Sequence, residues 1–129
     1  MKETFEEFIA LMKINRKNCP WVKEKDIDEY IRQLEGEVKE VAEAFEKKDY
    51  ENFKEELGDV FIDFVMLMII ADEKGMCSVK ECMELGMEKI KRRKPWLLTD
   101  KTVTTEEALR IWKEVKQHEK NSRENKKHF

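Results

Sequence analysis

The chain is 129 residues long, enough for one domain with a real core and short for two. Charged residues make up 43% of it and Gly plus Pro only six positions, a composition that favours long amphipathic helices. The formal net charge of −3, with the signs interspersed, argues against a general nucleic-acid binder and leaves no basic stripe for a membrane surface.

Five helices and no strand are expected. The first runs from about Thr4 to Lys17, with Phe5, Phe8, Ile9 and Met12 on one face. It breaks at Asn18-Cys19-Pro20-Trp21, because proline disfavours helix in the residue before it. Asp26 caps the second helix with Glu29 as its capping-box partner. That helix reaches about Lys47 and carries an apolar stripe of Ile31, Leu34, Val38, Val41 and Phe45. Lys48-Asp49-Tyr50 is a short turn, which makes the second and third helices antiparallel neighbours.

The third helix runs from Tyr50 to about Lys74 and stops at Gly75, a left-handed C-terminal residue. Its segment 60–71 is apolar except for Asp63, too short to span a bilayer, and reads as a buried core helix. Ser78 with Glu81 opens the fourth helix, which ends near Lys94 before Pro95. Thr104 with Glu107 opens the fifth, with Ala108, Ile111, Trp112 and Val115 on its apolar face. From about residue 117 no apolar face remains and the helix is expected to fray. The expected architecture is a single all-α domain over 1–129, a bundle of about five helices around a central antiparallel hairpin.

Cys19, Cys77 and Cys82 are odd in number and form no C-x-x-C pair, and the acidic start MKETFEEF does not read as a secretory leader. A reduced, cytoplasmic compartment is the expectation.

Two carboxylate pairs, Glu37 with Glu40 and Glu56 with Asp59, have i, i+3 spacing, so each pair projects from one helix face. With 29 Asp and Glu in the chain, roughly six such pairs arise by chance, so the spacing alone is weak. Glu3/Glu6, Glu43/Glu46 and Glu81/Glu84 read as solvated surface. Position separates the chosen four: Glu37 and Glu40 flank the apolar stripe, while Glu56, Asp59 and Asp63 thread through Leu57, Val60, Phe61, Phe64 and Leu67. Acids packed against a buried helix need a cation or hydrogen-bond donors, and a hard divalent metal takes oxygen ligands. Both pairs lie roughly 10–18 Å from the turn at 1.5 Å rise per residue, so an antiparallel hairpin brings them to comparable heights.

These acids stand among other motifs, and together they resemble the MazG-type nucleoside triphosphate pyrophosphohydrolases, an all-α family marked by E-x-x-E, a gap, then E-x-x-D. Here the pattern is Glu37-Val-Lys-Glu40, fifteen intervening residues, then Glu56-Leu-Gly-Asp59. Cys19-Pro20-Trp21 resembles the family's C-P-W entry, and Lys91-Arg92-Arg93-Lys94-Pro95 its basic segment ending R-R-x-P. The resemblance covers about Cys19 to Leu97. It implies Mg²⁺-dependent cleavage of a nucleoside triphosphate to the monophosphate and pyrophosphate, with Mn²⁺ as a substitute, by a homodimer or homotetramer. Members commonly carry Glu-Glu where this chain has Gly36-Glu37, and often His at the positions of Lys94 and Trp96. Close approach of a neighbouring helix is the expected reason for Gly36.

Triphosphate cleavage depends on positioning and on electrostatic stabilisation of the phosphates. That chemistry assigns Glu37, Glu40, Glu56 and Asp59 as metal ligands; clustered without metal they repel, and at least one is expected to hold a proton. Asp63 has two readings, a further ligand or base, or a buried acid bonded to a partner such as a Lys, Tyr or Trp N–H. Lys91, Arg92 and Arg93 either bind phosphates or complement a helix C-terminus. Trp21 and Trp96 either stack on a base or pack at a bundle edge. Di-iron and zinc chemistry lack their histidines, since His118 and His128 lie near the C-terminus. The remaining alternatives are a related enzyme acting on phosphoribosyl-ATP or deoxyuridine triphosphate, and a non-catalytic helical dimerisation module.

Overall fold

The computed structural model describes residues 1–127, and side-chain caps open its second, third and fifth helices. α1 spans Lys2–Asn18, α2 Ile27–Glu46, α3 Tyr50–Glu73, α4 Val79–Arg93 and α5 Thr105–Lys127. A 3₁₀ turn covers Pro95–Leu98, and the described residues contain no strand. The Asp26 side chain accepts from the Ile27 N–H at 2.7 Å and from the Glu29 N–H, while the Asp26 N–H donates to Glu29 Oε1 at 3.4 Å, the reciprocal capping box expected at the start of α2. At the other end, the Lys48 N–H donates to the Phe45 carbonyl and the Asp49 N–H to the Ala44 carbonyl, both at 3.0 Å. This is a Schellman ending with Lys48 in the left-handed region at φ 59°. Asp49 then caps α3 by accepting from the Asn52 N–H. α3 ends the same way, with Gly75 at φ 72°, as its position after the apolar run predicts.

The chain divides into two compact units, Met1–Val79 and the segment from Lys80 onward. In the first, α2 and α3 form the antiparallel hairpin and α1 packs on α3. Met12, Val22, Tyr30, Ala44, Val65, Met66, Met68, Ile69 and Ile70 make its core. Met66 and Ile70 are wholly buried, each worth about 1.5–3 kcal/mol over an exposed side chain. Phe8 stacks on Phe61 at 4.9 Å between centroids and joins α1 to the middle of α3. Arg16 ties the C-terminal ends together. Its guanidinium donates to Glu73 at 3.0 Å and to the carbonyls of Val22 at 2.6 Å and Lys25 at 2.8 Å.

Two expectations for α2 are corrected. Of the apolar stripe, Ile31, Val38 and Phe45 are exposed, Phe45 by 61%. The face turned inward carries Tyr30, Leu34, Glu37, Val41 and Ala44 at alternating steps of four and three. Glu37 therefore sits within the inward face and does not merely flank it. Close helix approach does not explain Gly36 either, because a Cβ there would meet nothing within 4 Å.

In the second unit, α4 has no fully buried residue and exposes Met83, Met87 and Ile90 at i, i+4, i+7. α5 is helical to Lys127, past the point where fraying was expected. What its apolar face lacks, polar contacts supply: Glu119 pairs with Arg92 and Arg93 of α4, and Gln117 Nε2 donates to Asn121 Oδ1 at 3.0 Å. Thr104 caps α5 by accepting from the Glu107 N–H at 3.1 Å. No helix among the described residues is long and apolar enough to cross a membrane. His118 lies on α5, and His128 lies outside the described residues.

Candidate metal centre

The hairpin brings three acids from two helices to one point. Glu37 of α2 and Glu56 and Asp59 of α3 each offer a carboxylate oxygen, and these oxygens lie within 4.8 Å of one another. Register explains it: counted from the turn at residues 47–49, Glu37 lies ten residues before Lys47, and Glu56 and Asp59 lie seven and ten after Asp49, so an antiparallel pair of helices sets them at comparable heights. Glu40, one turn nearer the hairpin and exposed, stands beside Glu37 and Glu56 and acts on both electrostatically.

The electrostatics are those of a charge-starved site. Desolvation, then hydrogen bonds to Glu56 and Glu40 and the charges of Glu40 and Asp59, push the Glu37 carboxyl up to about 8. Glu56 is raised as well, by burial first, against a lowering hydrogen bond from Glu37. This is the shared proton that crowded carboxylates require. Glu37 Oε2 and Glu56 Oε2 are both buried with no hydrogen-bond partner among the described residues. Buried carboxylate oxygens without donors are costly, and a hard dication satisfies them through oxygen ligands. No His or Cys joins the group, so the donor set fits Mg²⁺ or Mn²⁺ and not zinc.

One helical turn along α3, Asp63 is 3% exposed. Its Oδ1 accepts from Gln33 Nε2 at 2.8 Å, and Gln33 Oε1 accepts from Lys25 Nζ at 3.0 Å. Because an ammonium only donates, Lys25 fixes the amide with its NH₂ toward Asp63. The hydrogen-bond partner of this buried acid is thus a glutamine. Burial raises the Asp63 carboxyl, the Gln33 bond opposes it, and Oδ2 has no partner. Gln33 was not singled out from the sequence; the signal was its place one turn before Glu37.

The other expected residues are distributed over both units. Trp21, in the first, is 70% exposed after Pro20. In the second, Trp96 is half-buried and lines an apolar cavity of about 460 Å³ with Val103, Ala108 and Trp112. Arg92 and Arg93 are both engaged by Glu119, at 2.5 and 2.9 Å, while Lys91 makes no ion pair among the described residues. The arginines' partner is a side chain, not only a helix end.

The chain is similar to proteins of one family in both sequence and fold. Residues 25–98 match the family model described as the MazG nucleotide pyrophosphohydrolase domain. The chain is 30% identical over 128 residues to the Thermotoga maritima nucleoside triphosphate pyrophosphohydrolase/pyrophosphatase MazG, covering 95% of this chain and 49% of that protein. It is 29% identical over 129 residues to the Bacillus subtilis protein YabN, described as uncharacterized, covering 95% of this chain and 26% of that one. The chain therefore spans about a quarter to a half of the length of these curated relatives. A crystal structure of a mazG-related protein from Thermotoga maritima superposes with a TM-score of 0.82 at 33% identity, covering 87% of this chain and 98% of that one.

Proposed function

Because the chain belongs to the MazG nucleotide pyrophosphohydrolase domain family, we propose that it hydrolyses nucleoside triphosphates to the monophosphate and pyrophosphate in a Mg²⁺-dependent reaction. The observation that carries this reading is the convergence of Glu37, Glu56 and Asp59 with two unsatisfied buried oxygens. These three with Glu40 hold the cation, and Mn²⁺ substitutes for Mg²⁺. When bound, the ion neutralises phosphate charge and acidifies a coordinated water.

The chain's own residues do the rest. Glu37 gives up its proton on loading, since only the carboxylate ligates. Asp63, aligned by Gln33 and Lys25 and raised by burial, takes a proton from the attacking water. Water attack forms one P–O bond and breaks the α–β bridge, with pyrophosphate leaving. Lys91, Arg92 and Arg93 bind phosphates, the two arginines by exchanging Glu119, and Trp21 and Trp96 stack on the base. The reading is tested by pyrophosphate release from a panel that includes the canonical triphosphates, deoxyuridine triphosphate and phosphoribosyl-ATP, with and without Mg²⁺ or Mn²⁺. Release that needs the cation is expected. Silence across the panel at saturating metal would defeat the hydrolytic reading and leave a dimerisation module.

The functional unit in this reading is a homodimer or homotetramer. The hairpin exposes Ile31, Val38 and Phe45 on α2 and Leu57, Phe61 and Phe64 on α3. Two apolar rows on adjacent helices are more than a lone surface usually carries. Light scattering should give at least twice the 15.6 kDa chain mass at micromolar concentration, and a stable monomer would sink this part.

A further inference from the structure

The first unit is acidic, with twelve Lys and Arg against twenty Asp and Glu in residues 1–79. Four of those twelve cations nevertheless gather at one place. An open cavity of about 510 Å³ between the C-terminal ends of α1 and α3 is lined by Lys13, Arg16 and Lys17 of α1, Lys23 of the following turn, and Asp72 and Glu73 of α3. Helical spacing makes it so: 13, 16 and 17 share one face of α1, and 69, 72 and 73 share one face of α3. Asp72 is thirteen residues beyond Asp59, about 20 Å along the helix at 1.5 Å rise per residue, so the cavity is remote from the clustered acids.

The charges lining it do not cancel. Arg16 and Glu73 neutralise each other at 3.0 Å, and the remaining bonds of the guanidinium go to the Val22 and Lys25 carbonyls. Lys13, Lys17, Lys23 and Asp72 make no ion pair among the described residues. Three ammonium groups against one carboxylate leave two positive charges in excess, and like charges gathered in a cavity repel unless an anion joins them. Arg16 and Lys17 have an ordinary reason to be there, since cations in a last turn complement the negative end of a helix. That reason does not extend to Lys13, a turn earlier, or to Lys23, which lies outside the helix. Ile69, 6% exposed, adds an apolar wall.

We propose that this cavity binds a phosphate dianion, either free or as the head of a small phosphomonoester, held by Lys13, Lys17 and Lys23. Two charges in excess match one dianion. A triphosphate carries more charge than the cavity meets, and a nucleic-acid strand calls for a groove that follows its backbone. Ammonium groups on flexible stems suit the task, because each turns its donors toward a tetrahedral group as a point charge. The volume lies within the range of small-ligand pockets, and Ile69 offers the organic part of a monoester its apolar contact. The site is built wholly from the first unit, and its occupancy does not depend on hydrolysis.

A ¹H–¹⁵N NMR titration of the full chain at low ionic strength, with no nucleotide present, tests it. Orthophosphate and glycerol phosphate should each shift the amides of residues 13–25 and 69–73 and saturate with a Kd of about 1–10 mM, the strength of a site made from exposed lysines. Dimethyl phosphate, a monoanion of the same shape, should bind at least about fivefold more weakly. Glycerol phosphate tighter than orthophosphate assigns the organic body a contact on Ile69; equal affinity assigns the phosphate group as sufficient. Lys17→Gln and Lys23→Gln, both at exposed positions, should each weaken binding by about three- to tenfold, an effect that shrinks in high salt. Asp72→Asn should tighten it, since the carboxylate that opposes the ligand loses its charge. Lysines that are merely solvated predict no change in any of the three. Lys54→Gln, near the other end of α3, is the control and should leave the affinity as it is. No saturable shift in these two segments by about 50 mM orthophosphate overturns the proposal. So does an affinity untouched by Lys17→Gln and Lys23→Gln, or dimethyl phosphate that binds as tightly as orthophosphate.

Discussion

Glu56→Gln and Asp59→Asn should each lower pyrophosphate release on the order of a hundredfold or more, the scale on which a single electrostatic contact to the transition state is lost. Helical content should be unchanged, because the amides keep the shape of the acids. Without metal, each variant should be at least as stable as the parent, since one negative charge leaves a cluster that holds Glu37 protonated up to about 8. The stabilisation added by Mg²⁺, which follows its preference for the folded state, should shrink in both.

Linkage adds a pH signature. Between about 4.5 and 8 the folded chain keeps a proton on Glu37 that the unfolded chain has released. The folded state binds more protons there, so this group's contribution to metal-free stability declines as pH rises through that window. The Mg²⁺-induced rise in Tm should grow over the same window, with proton release on binding. Glu43→Gln, on the exposed part of α2, is the control and should change little. Equal losses from Glu43→Gln and Glu56→Gln, or a Mg²⁺ response that Asp59→Asn leaves intact, would place the site elsewhere.

The largest loss of stability is expected at Arg16. Arg16→Ala should cost about 3–5 kcal/mol, because it removes a nearly buried cation, leaves the Val22 carbonyl with only the Lys25 N–H, and takes the guanidinium from the Lys25 carbonyl and from Glu73. Thermal denaturation should show a Tm lower by about 10 °C or more. Glu73→Gln should cost about 1 kcal/mol or less, since Glu73 is half exposed and its pairing with Arg16 is screened by solvent. Arg16→Lys should not restore the parent value, because one ammonium cannot span two carbonyls and a carboxylate as the guanidinium does. If Glu73→Gln proves as damaging as Arg16→Ala, the carbonyl bonds are not what holds the Cys19–Lys25 turn.

Local chemistry was readable without a fold. Asp26 with Glu29, Thr104 with Glu107, and Gly75 at φ 72° all act within one helical turn, so spacing alone announces them. The meeting of Glu37 with Glu56 and Asp59 was readable for a similar reason, since a short turn and a constant rise leave antiparallel helices little freedom of register. Tertiary structure decided what periodicity leaves degenerate. α2 has two apolar stripes, and only packing against α3 chose the one with Tyr30 and Ala44 over the one with Val38 and Phe45. Gln33 carries no signature of its own until Asp63 is buried beside it and Lys25 turns its amide. The pairing of Glu119 with Arg92 and Arg93 spans 27 and 26 residues, in a chain with 26 cations and 29 acids to choose among. Pairings along one helix follow from its geometry, whereas pairings between helices follow from which faces the core draws inward, and that choice is made by the whole chain at once.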